Sequence, residues 1–459
     1  MSTTTGKHKN PIIAALVSAW ALLVGMGLLM LGNGLQGSLL GLRAGLEGFG
    51  SALTGILMAC FFAGFLVGSV LTSRIVRRVG HIRTFAALVS VASVAILVHA
   101  VFIEPVVWGL MRLTTGICFA GIFVVAESWL NARADNHTRG QMLSIYMLFS
   151  FGGMAGGQLM LNLADPSGTH LFIMVSVVIS VAVLPILLSN TAAPTPEGPQ
   201  SIGLRRLYTV SPLGVVGTFA AGTVNGTLFG MGAVYAGAIG LEVSDIALFM
   251  MATILGAVAL QWPIGKISDL IDRRIVLTSV TFLAALAALL AAVLTPTNAT
   301  QGQSGDLILF LLATALFGGL SLSLHPLSLA YTNDYLEPTE LVGASGGLVL
   351  ILGAGSIIGP LAVGTLIAVT GPDGFFYWLL SIHAAVGLFA LWRMTQRAAV
   401  PNAEQGSYVA VAVAPSAEVV IAAEEVHAEG ADRPDETPEM SGDDSDGGSQ
   451  SSTPSSSGT

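Results

Sequence analysis

Twelve stretches of the chain are apolar for about 20 residues at a time, with short polar connections between them. They fall near residues 11–40, 50–73, 84–103, 105–129, 141–163, 170–189, 212–239, 245–265, 275–295, 306–331, 342–369 and 374–393. An α-helix rises ~1.5 Å per residue, so about 20 apolar residues cross a ~30 Å hydrocarbon layer. The pattern predicts an all-α membrane protein with twelve transmembrane helices.

The connections carry a second pattern. Fifteen basic residues, from Lys7 and Lys9 to Arg393 and Arg397, fall in alternate connections, and the other set holds only Arg43. Positive residues stay on the cytoplasmic side, so both termini are expected there. The longest connection within the apolar body, SNTAAPTPEGPQSIGLRR, divides the spans six and six, and its Pro- and Gly-rich composition reads as a flexible tether. The expected plan is a cytoplasmic N-terminus over 1–10, a six-helix bundle over 11–189, a cytoplasmic linker over 190–211, a second bundle over 212–395 and a tail over 396–459. Weak internal repetition supports two pseudo-symmetric halves: SRIVRRVGHIRTF follows the second span and GKISDLIDRRIVL the eighth, while FGGMAGGQLM and LGAGSIIGPLAVG recur in the fifth and eleventh.

Composition agrees with the spans: 53% of the residues are hydrophobic and 10% charged, far from a soluble balance. The net charge of −9 belongs to the end of the chain, since residues beyond Met394 carry −10 and the rest +1. An acidic, Ser- and Gly-rich tail cannot bury enough apolar surface to fold, so it is expected to be disordered and dispensable for insertion and transport. Cys60 and Cys118 lie inside apolar runs without metal-ligand spacing and read as packing residues. The first apolar run lacks an A-x-A cleavage site and reads as a retained span. No P-loop, zinc-ligand set, nucleophile elbow or post-strand G-x-G-x-x-G is present. The chain is therefore expected to be no enzyme and to use no cofactor, metal or nucleic acid, its partners being the lipid bilayer and a small solute.

Two charges lie where lipid would penalise them, Arg112 and Glu127 in the fourth span, at roughly 2.5–3.5 kcal/mol each on insertion scales. Fifteen residues apart, they stand about 22 Å from one another and cannot pair. Glu47, Glu104 and Asp165 belong to connections, so no acid shares the depth of Arg112. It either snorkels to the interface or faces a water-filled cavity and meets an anionic or strongly polar solute. Asn33 and Gln36 are three apart on the first span and share a face, and Asn225 lies about 20 Å into the seventh. His325 precedes Pro326, which frees backbone groups where a site could form. Tyr146, Gln158, Gln261 and Tyr331 complete the polar candidates, each with interhelical hydrogen bonding as the alternative.

Gly265, Asp269, Arg273 and Arg274 resemble the G-x-x-x-D-R-x-G-R-R loop signature of the major facilitator superfamily, and Leu270 and Asp272 depart from it. The first copy has Ser73 for Gly and Arg77 for Asp, while Arg78 and Gly80 match. VVAESWLNARADNHTRGQMLSIYM, LQWPIGKISD and LHPLSLAY extend the resemblance to a bacterial inner-membrane permease group of mostly unassigned substrate. The resemblance implies the superfamily fold, an inner-membrane location and alternating access. It also implies gating roles for Glu127, Arg77, Arg78, Gly265, Asp269, Arg273 and Arg274, and places the first and seventh helices around the cavity. Arg112 matches a fourth-helix R-x-x-x-G pattern implicated in proton coupling, continued by Gly116, but the fifth span reads Gly156-Gly157-Gln158 in place of the antiporter Gly-Pro.

The expected function is therefore monomeric transport of a small polar or amphipathic organic solute, with import, facilitated or coupled to a proton or cation, ahead of proton-coupled efflux. A vitamin such as riboflavin, a sugar or an organic acid fits equally. A transport-dead sensor signalling through the tail is the alternative from another class.

Overall fold

A computed structural model describes residues 11–131, 136–188, 203–296, 304–337, 340–397, 400–401, 405–406 and 408. The expected N-terminal segment over 1–10, most of the linker and nearly all of the tail lie outside the described residues. Helices α1 (Pro11–Leu46), α2 (Ser51–Val79), α3 (His81–Val101), α4 (Pro105–Asn131) and α5 (Asn136–Leu159) are followed by α6, His170–Ala182 continuing as Leu184–Leu188. Then come α7 (Pro212–Ala238), α8 (Val243–Leu270), α9 (Arg273–Val293), α10 (Ser304–Leu322 continuing as Leu324–Asn333), α11 (Leu341–Thr370) and α12 (Gly374–Met394). The linker is not wholly extended, because Leu204–Val210 forms a short helix before α7.

Among the described residues, eleven helices are long and apolar enough to cross a membrane by length and composition. The one span outside this set is α5, 24 residues long and so about 36 Å, which falls short on hydropathy because it carries Gln, Ser, His and several glycines. Two spans are broken. In α10 the break sits at Ser323, three residues before Pro326, whose ring cannot be accommodated behind the preceding turn of a continuous helix. Ser323 Oγ donates to the Gly319 carbonyl at 2.7 Å and so occupies an acceptor near the break. Between α2 and α3 the chain turns within one residue, Gly80 at φ 87°, a left-handed conformation that costs glycine least.

The helices pair as two repeats. In the first half α1 packs on α5 and α6, α2 on α4, and α3 on α4 and α6; in the second, α7 packs on α11 and α12, α8 on α10, and α9 on α10 and α12. Each second-half pair is a first-half pair advanced by six. Between halves α2 meets α11, α5 meets α8, and α1 meets α7, again related by the same exchange. This is a twelve-helix fold of two pseudo-symmetric six-helix bundles.

Small residues set the crossings. A Cβ built on Gly64 would run into the Leu113 carbonyl, and one on Gly116 into the Phe61 carbonyl, so α2 and α4 touch backbone to backbone. The equivalent contact of the second half is Gly256 against the Ala315 carbonyl and Gly318 against the Thr253 carbonyl, between α8 and α10. Close approach of this kind supplies the packing that lipid cannot drive by the hydrophobic effect.

Contacts between the bundles concentrate away from the chain termini. Gly55 meets the Pro360 carbonyl, Gly364 the Ser51 carbonyl, Gly41 the Val234 side chain and Gly237 the Leu42 side chain. These residues belong to the ends of α1, α2, α7 and α11 remote from the termini, the far side. The halves of the helices nearer the termini, the terminal side, carry none of these four contacts, and a central cavity lies between the bundles.

A Gly64→Ala change would force the α2/α4 crossing apart and is expected to cost about 1–3 kcal/mol of stability. Gly152→Ala, where a Cβ meets nothing within 4 Å, should leave stability unchanged. Thermal unfolding of the two purified variants checks the contrast, and equal behaviour would refute the crossing.

Candidate solute-binding site

The cavity between the bundles holds about 810 Å³ of space free of protein atoms, part of it continuous with open solvent. Its walls come mainly from the first bundle. One face of α1 supplies Met30, Asn33, Gly34, Gly37 and Ser38, and α2 supplies Phe61, Phe62 and Phe65. Arg112 and Phe123 reach in from α4, and Ser150, Phe151, Met154 and Gln158 from α5. The second bundle contributes Phe229 of α7 and Met250 of α8.

Arg112 sits in this wall, 4% exposed. Its guanidinium carbon lies 4.6 Å from the centre of the Phe61 ring, a cation–π contact worth about 0.5–2 kcal/mol. Nη2 donates to the Met58 thioether at 3.4 Å, a weak acceptor, and Nε has no hydrogen-bond partner among the described residues. The far-side acids of the first bundle are engaged locally. Glu47 pairs with Arg43 at 2.6 Å, Glu104 caps α4 by accepting from the Val106 amide at 3.0 Å, and Asp165 accepts from the Ser167 amide at 2.8 Å. Among the described residues lining the cavity there is no Asp or Glu.

A polar strip also lines the cavity. Ser38 Oγ donates to Gln158 Oε1 at 2.6 Å, and Gln158 Nε2 donates to the Gly34 carbonyl at 3.0 Å. This fixes the Gln158 side chain between α1 and α5, with Asn33 one turn away on the lining. The aromatic residues follow from spacing on α2, where Met58, Phe61, Phe62 and Phe65 fall at helical intervals on one face. That i, i+3, i+4, i+7 signal was present in the sequence, and polar candidates alone did not reveal it.

Other candidates lie elsewhere. Gln36 is fully buried and its amide makes no hydrogen bond among the described residues, but it does not line the cavity. Helical geometry turns it about 60° off Asn33, on the side opposite to the lining arc of Gly34, Gly37 and Ser38. Asn225, His325 and Tyr331 are buried in the second bundle away from the cavity, Tyr331 stacked edge-on with Tyr335 at 5.1 Å. Tyr146 also leaves the cavity, because its hydroxyl donates to Glu127 Oε1 at 3.0 Å inside the first bundle. Arg77 and Arg78 stand exposed at the terminal end of α2.

The second-copy loop signature is assembled as a charge cluster on the terminal side. Arg273 Nη1 donates to both Asp334 oxygens, at 2.7 and 2.8 Å, and Nη2 donates to Asp269 Oδ1 at 2.9 Å. Arg274 pairs with Asp272 at 2.7 Å and donates to the Arg397 carbonyl at 2.7 Å. Asp272, between α8 and α9, loses hydration on burial, yet the Arg274 hydrogen bonds hold its carboxyl below the ordinary range. Asp334, at the end of α10, is the buried counter-ion of Arg273. Gln261 and Gly265 lie on α8 beside this cluster, where they meet Tyr408 of the tail.

The sequence model of the Major Facilitator Superfamily matches residues 22–299 and 213–423. The chain belongs to that superfamily. It is 27% identical over 343 residues to the uncharacterized MFS-type transporter YcaD of Escherichia fergusonii, covering 74% of this chain and 86% of that protein. A second uncharacterized MFS-type transporter, of Enterobacter sp. strain 638, is 27% identical over 377 residues, 81% of this chain and 94% of its own. Among solved structures, the nucleoside transporter NupG aligns with TM-score 0.67 at 13% identity, over 85% of this chain and all of its own. A bacterial homologue of the lysosomal transporter Spinster, inward-facing and unoccupied, aligns at 0.63 and 14% identity over 92% of this chain and 98% of its own. A D-xylose-proton symporter aligns at 0.61 and 12% identity, over 82% and 97%. The major facilitator fold is common to them, and the chain is a multi-pass membrane transporter of that superfamily.

Within this major facilitator chain the Arg273–Asp334 pair is the buried member of the cluster, its side chains 1% and 2% exposed. Asp334→Ala is expected to destabilise by up to about 3 kcal/mol, since it leaves a buried guanidinium with the part-exposed Asp269 as its remaining counter-ion. Arg274→Ala should cost clearly less, because water still reaches the Asp272 pair. Unfolding midpoints of the two variants test the order.

Proposed function

We propose that this chain carries a small organic anion with an apolar body across the bacterial inner membrane by alternating access, and that Arg112 is the anion's counter-ion. The observation that carries the reading is a buried guanidinium with an aromatic ring and a thioether for neighbours and no acid on the cavity wall. A buried charge without a partner costs several kcal/mol, and a carboxylate taken from water supplies what the protein omits. A planar guanidinium fork matches that group in two parallel hydrogen bonds.

The rest of the cavity speaks for the apolar body. Six phenylalanines and three methionines surround a short polar strip of Asn33, Ser38, Ser150 and Gln158. A sugar such as the one named for the xylose symporter would turn most of its hydroxyls toward phenyl rings here, leaving them unpaired at about 1–3 kcal/mol each. A flat or branched carboxylate buries that surface instead. The terminal side is assigned to the cytoplasm from the basic connections. Because the bundles touch on the far side, we take the cavity to open inward, with Arg112 in the outer half. Uptake is the direction favoured, since the fifth helix lacks the antiporter Gly-Pro.

Uptake of labelled aromatic and branched-chain carboxylates into proteoliposomes, each beside its neutral amide, tests this reading. One or more acids should be carried and bound while the matching amides are not. Arg112→Ala should lower affinity about 10–100-fold, the loss expected for charge-assisted hydrogen bonds. Arg112→Lys should be nearly as impaired, because the charge remains and the fork does not. Normal transport by Arg112→Ala would end the hypothesis, and full rescue by Lys would leave charge alone as the requirement.

A further inference from the structure

A second built site lies at the terminal end of α8, where residues past the last helix return to the second bundle. The carbonyl of Gly406 accepts from Arg273 Nη2 at 2.8 Å, and its amide donates to Asp334 Oδ1 at 3.3 Å. The amide of Tyr408 donates to Asp269 Oδ1 at 2.9 Å. Gly406 is buried, and Gln405 Nε2 donates back to the Val400 carbonyl at 3.1 Å. The Tyr408 ring fills the notch that Gly265 leaves in α8, where a Cβ would collide with the ring carbons. Burial pushes the Tyr408 phenol pKa up, with Gln261 facing the hydroxyl.

The expectation of a tail free of the body thus fails for Gln405, Gly406 and Tyr408. The contacts use backbone groups for the charges and one ring for the notch, so a short Gly-x-Tyr segment is what the surface fits. Its position on α8 decides what it does. Gln261 and Gly265 lie about 20° and 60° around the helix from Met250, which lines the cavity. The ring therefore sits on the cavity-facing stripe of α8, at its terminal mouth. The bundles already touch on the far side, where α8 begins and α5 ends through its 3₁₀ turn Met160–Leu163. To close the terminal side, the other ends of α5 and α8 must approach across the stripe that the ring covers.

We propose that the Gly265 notch, with Asp269, Arg273 and Asp334, is a docking site for the chain's own tail, and that the seated Tyr408 is a wedge favouring the state open on the terminal side. A segment that binds one state better than the other must shift the equilibrium toward it, by the ratio of its two affinities. Removing the wedge moves the population toward terminal-side closure.

Paired spin labels read this without any transport substrate. Val79→Cys at the end of α2 and Ile275→Cys at the start of α9 are exposed positions on opposite bundles, and Cys60→Ser with Cys118→Ala removes the native thiols. In lipid nanodiscs the full chain and Tyr408→Phe, which keeps the ring, should give the longer distance. Tyr408→Ala and truncation after Pro401, two independent ways of emptying the notch, should each raise the shorter-distance population several-fold. Unchanged distributions in both, with monodisperse protein, would overturn the wedge. The distances decide this even if every carboxylate fails in the uptake assay, so the two readings fail separately.

Discussion

The α2/α4 crossing is the contact on which the candidate site depends. Gly116 admits the Phe61 carbonyl, and Gly64 admits the Leu113 carbonyl. Arg112 is one turn from Gly116 and Phe61 is on the facing helix, so the backbone contact that joins the helices also sets the guanidinium over the ring at 4.6 Å. A larger residue at either glycine would separate the helices and the charge from the Phe61 ring. Packing and binding are thus coupled through two residues without side chains, in a solvent where close packing has to supply most of the association energy.

The spans, the six-and-six division and the exceptional status of Arg112 were legible because each follows from a cost lipid imposes locally. Apolar length, basic connections and a charge without a depth-matched acid can be read one segment at a time. The missed features are those that need two segments at once. Asp334 becomes the partner of Arg273 only when α10 ends beside α9, and Tyr146 turns from the cavity to Glu127 only when α4 and α5 are placed. Gln36 was placed on the cavity wall for a finer reason. A spacing of three puts two residues on neighbouring rather than identical faces, and the cavity edge runs between them.

The tail shows the same limit from the other direction. Its composition forbids a core of its own, and that argument holds for a segment standing alone. It does not forbid a few residues from using a core already built. Gly406 and Tyr408 bring backbone hydrogen-bonding groups and one ring to a surface formed by Asp269, Arg273 and Asp334. Low-complexity reasoning averages over such a segment and loses it.

The two bundles share one helix-pairing plan but not one chemistry. Helix pairs α2/α4 and α8/α10 cross through equivalent glycines, yet Arg112 and the phenylalanine floor are found in the first bundle, and the Arg273 cluster terminates the second. The loop signature is degraded where the cavity residues gather, with Ser73 and Arg77 in place of its Gly and Asp, and better kept where the tail docks. A duplicated scaffold needs its symmetry for the crossings, which must permit the same rocking motion from both sides. It needs no symmetry in the walls. On the reading proposed above, one half holds the solute while the other carries the charges that bias the motion, and Asn225, His325 and Tyr331 lie inside a bundle whose contribution to the cavity is Phe229 and Met250.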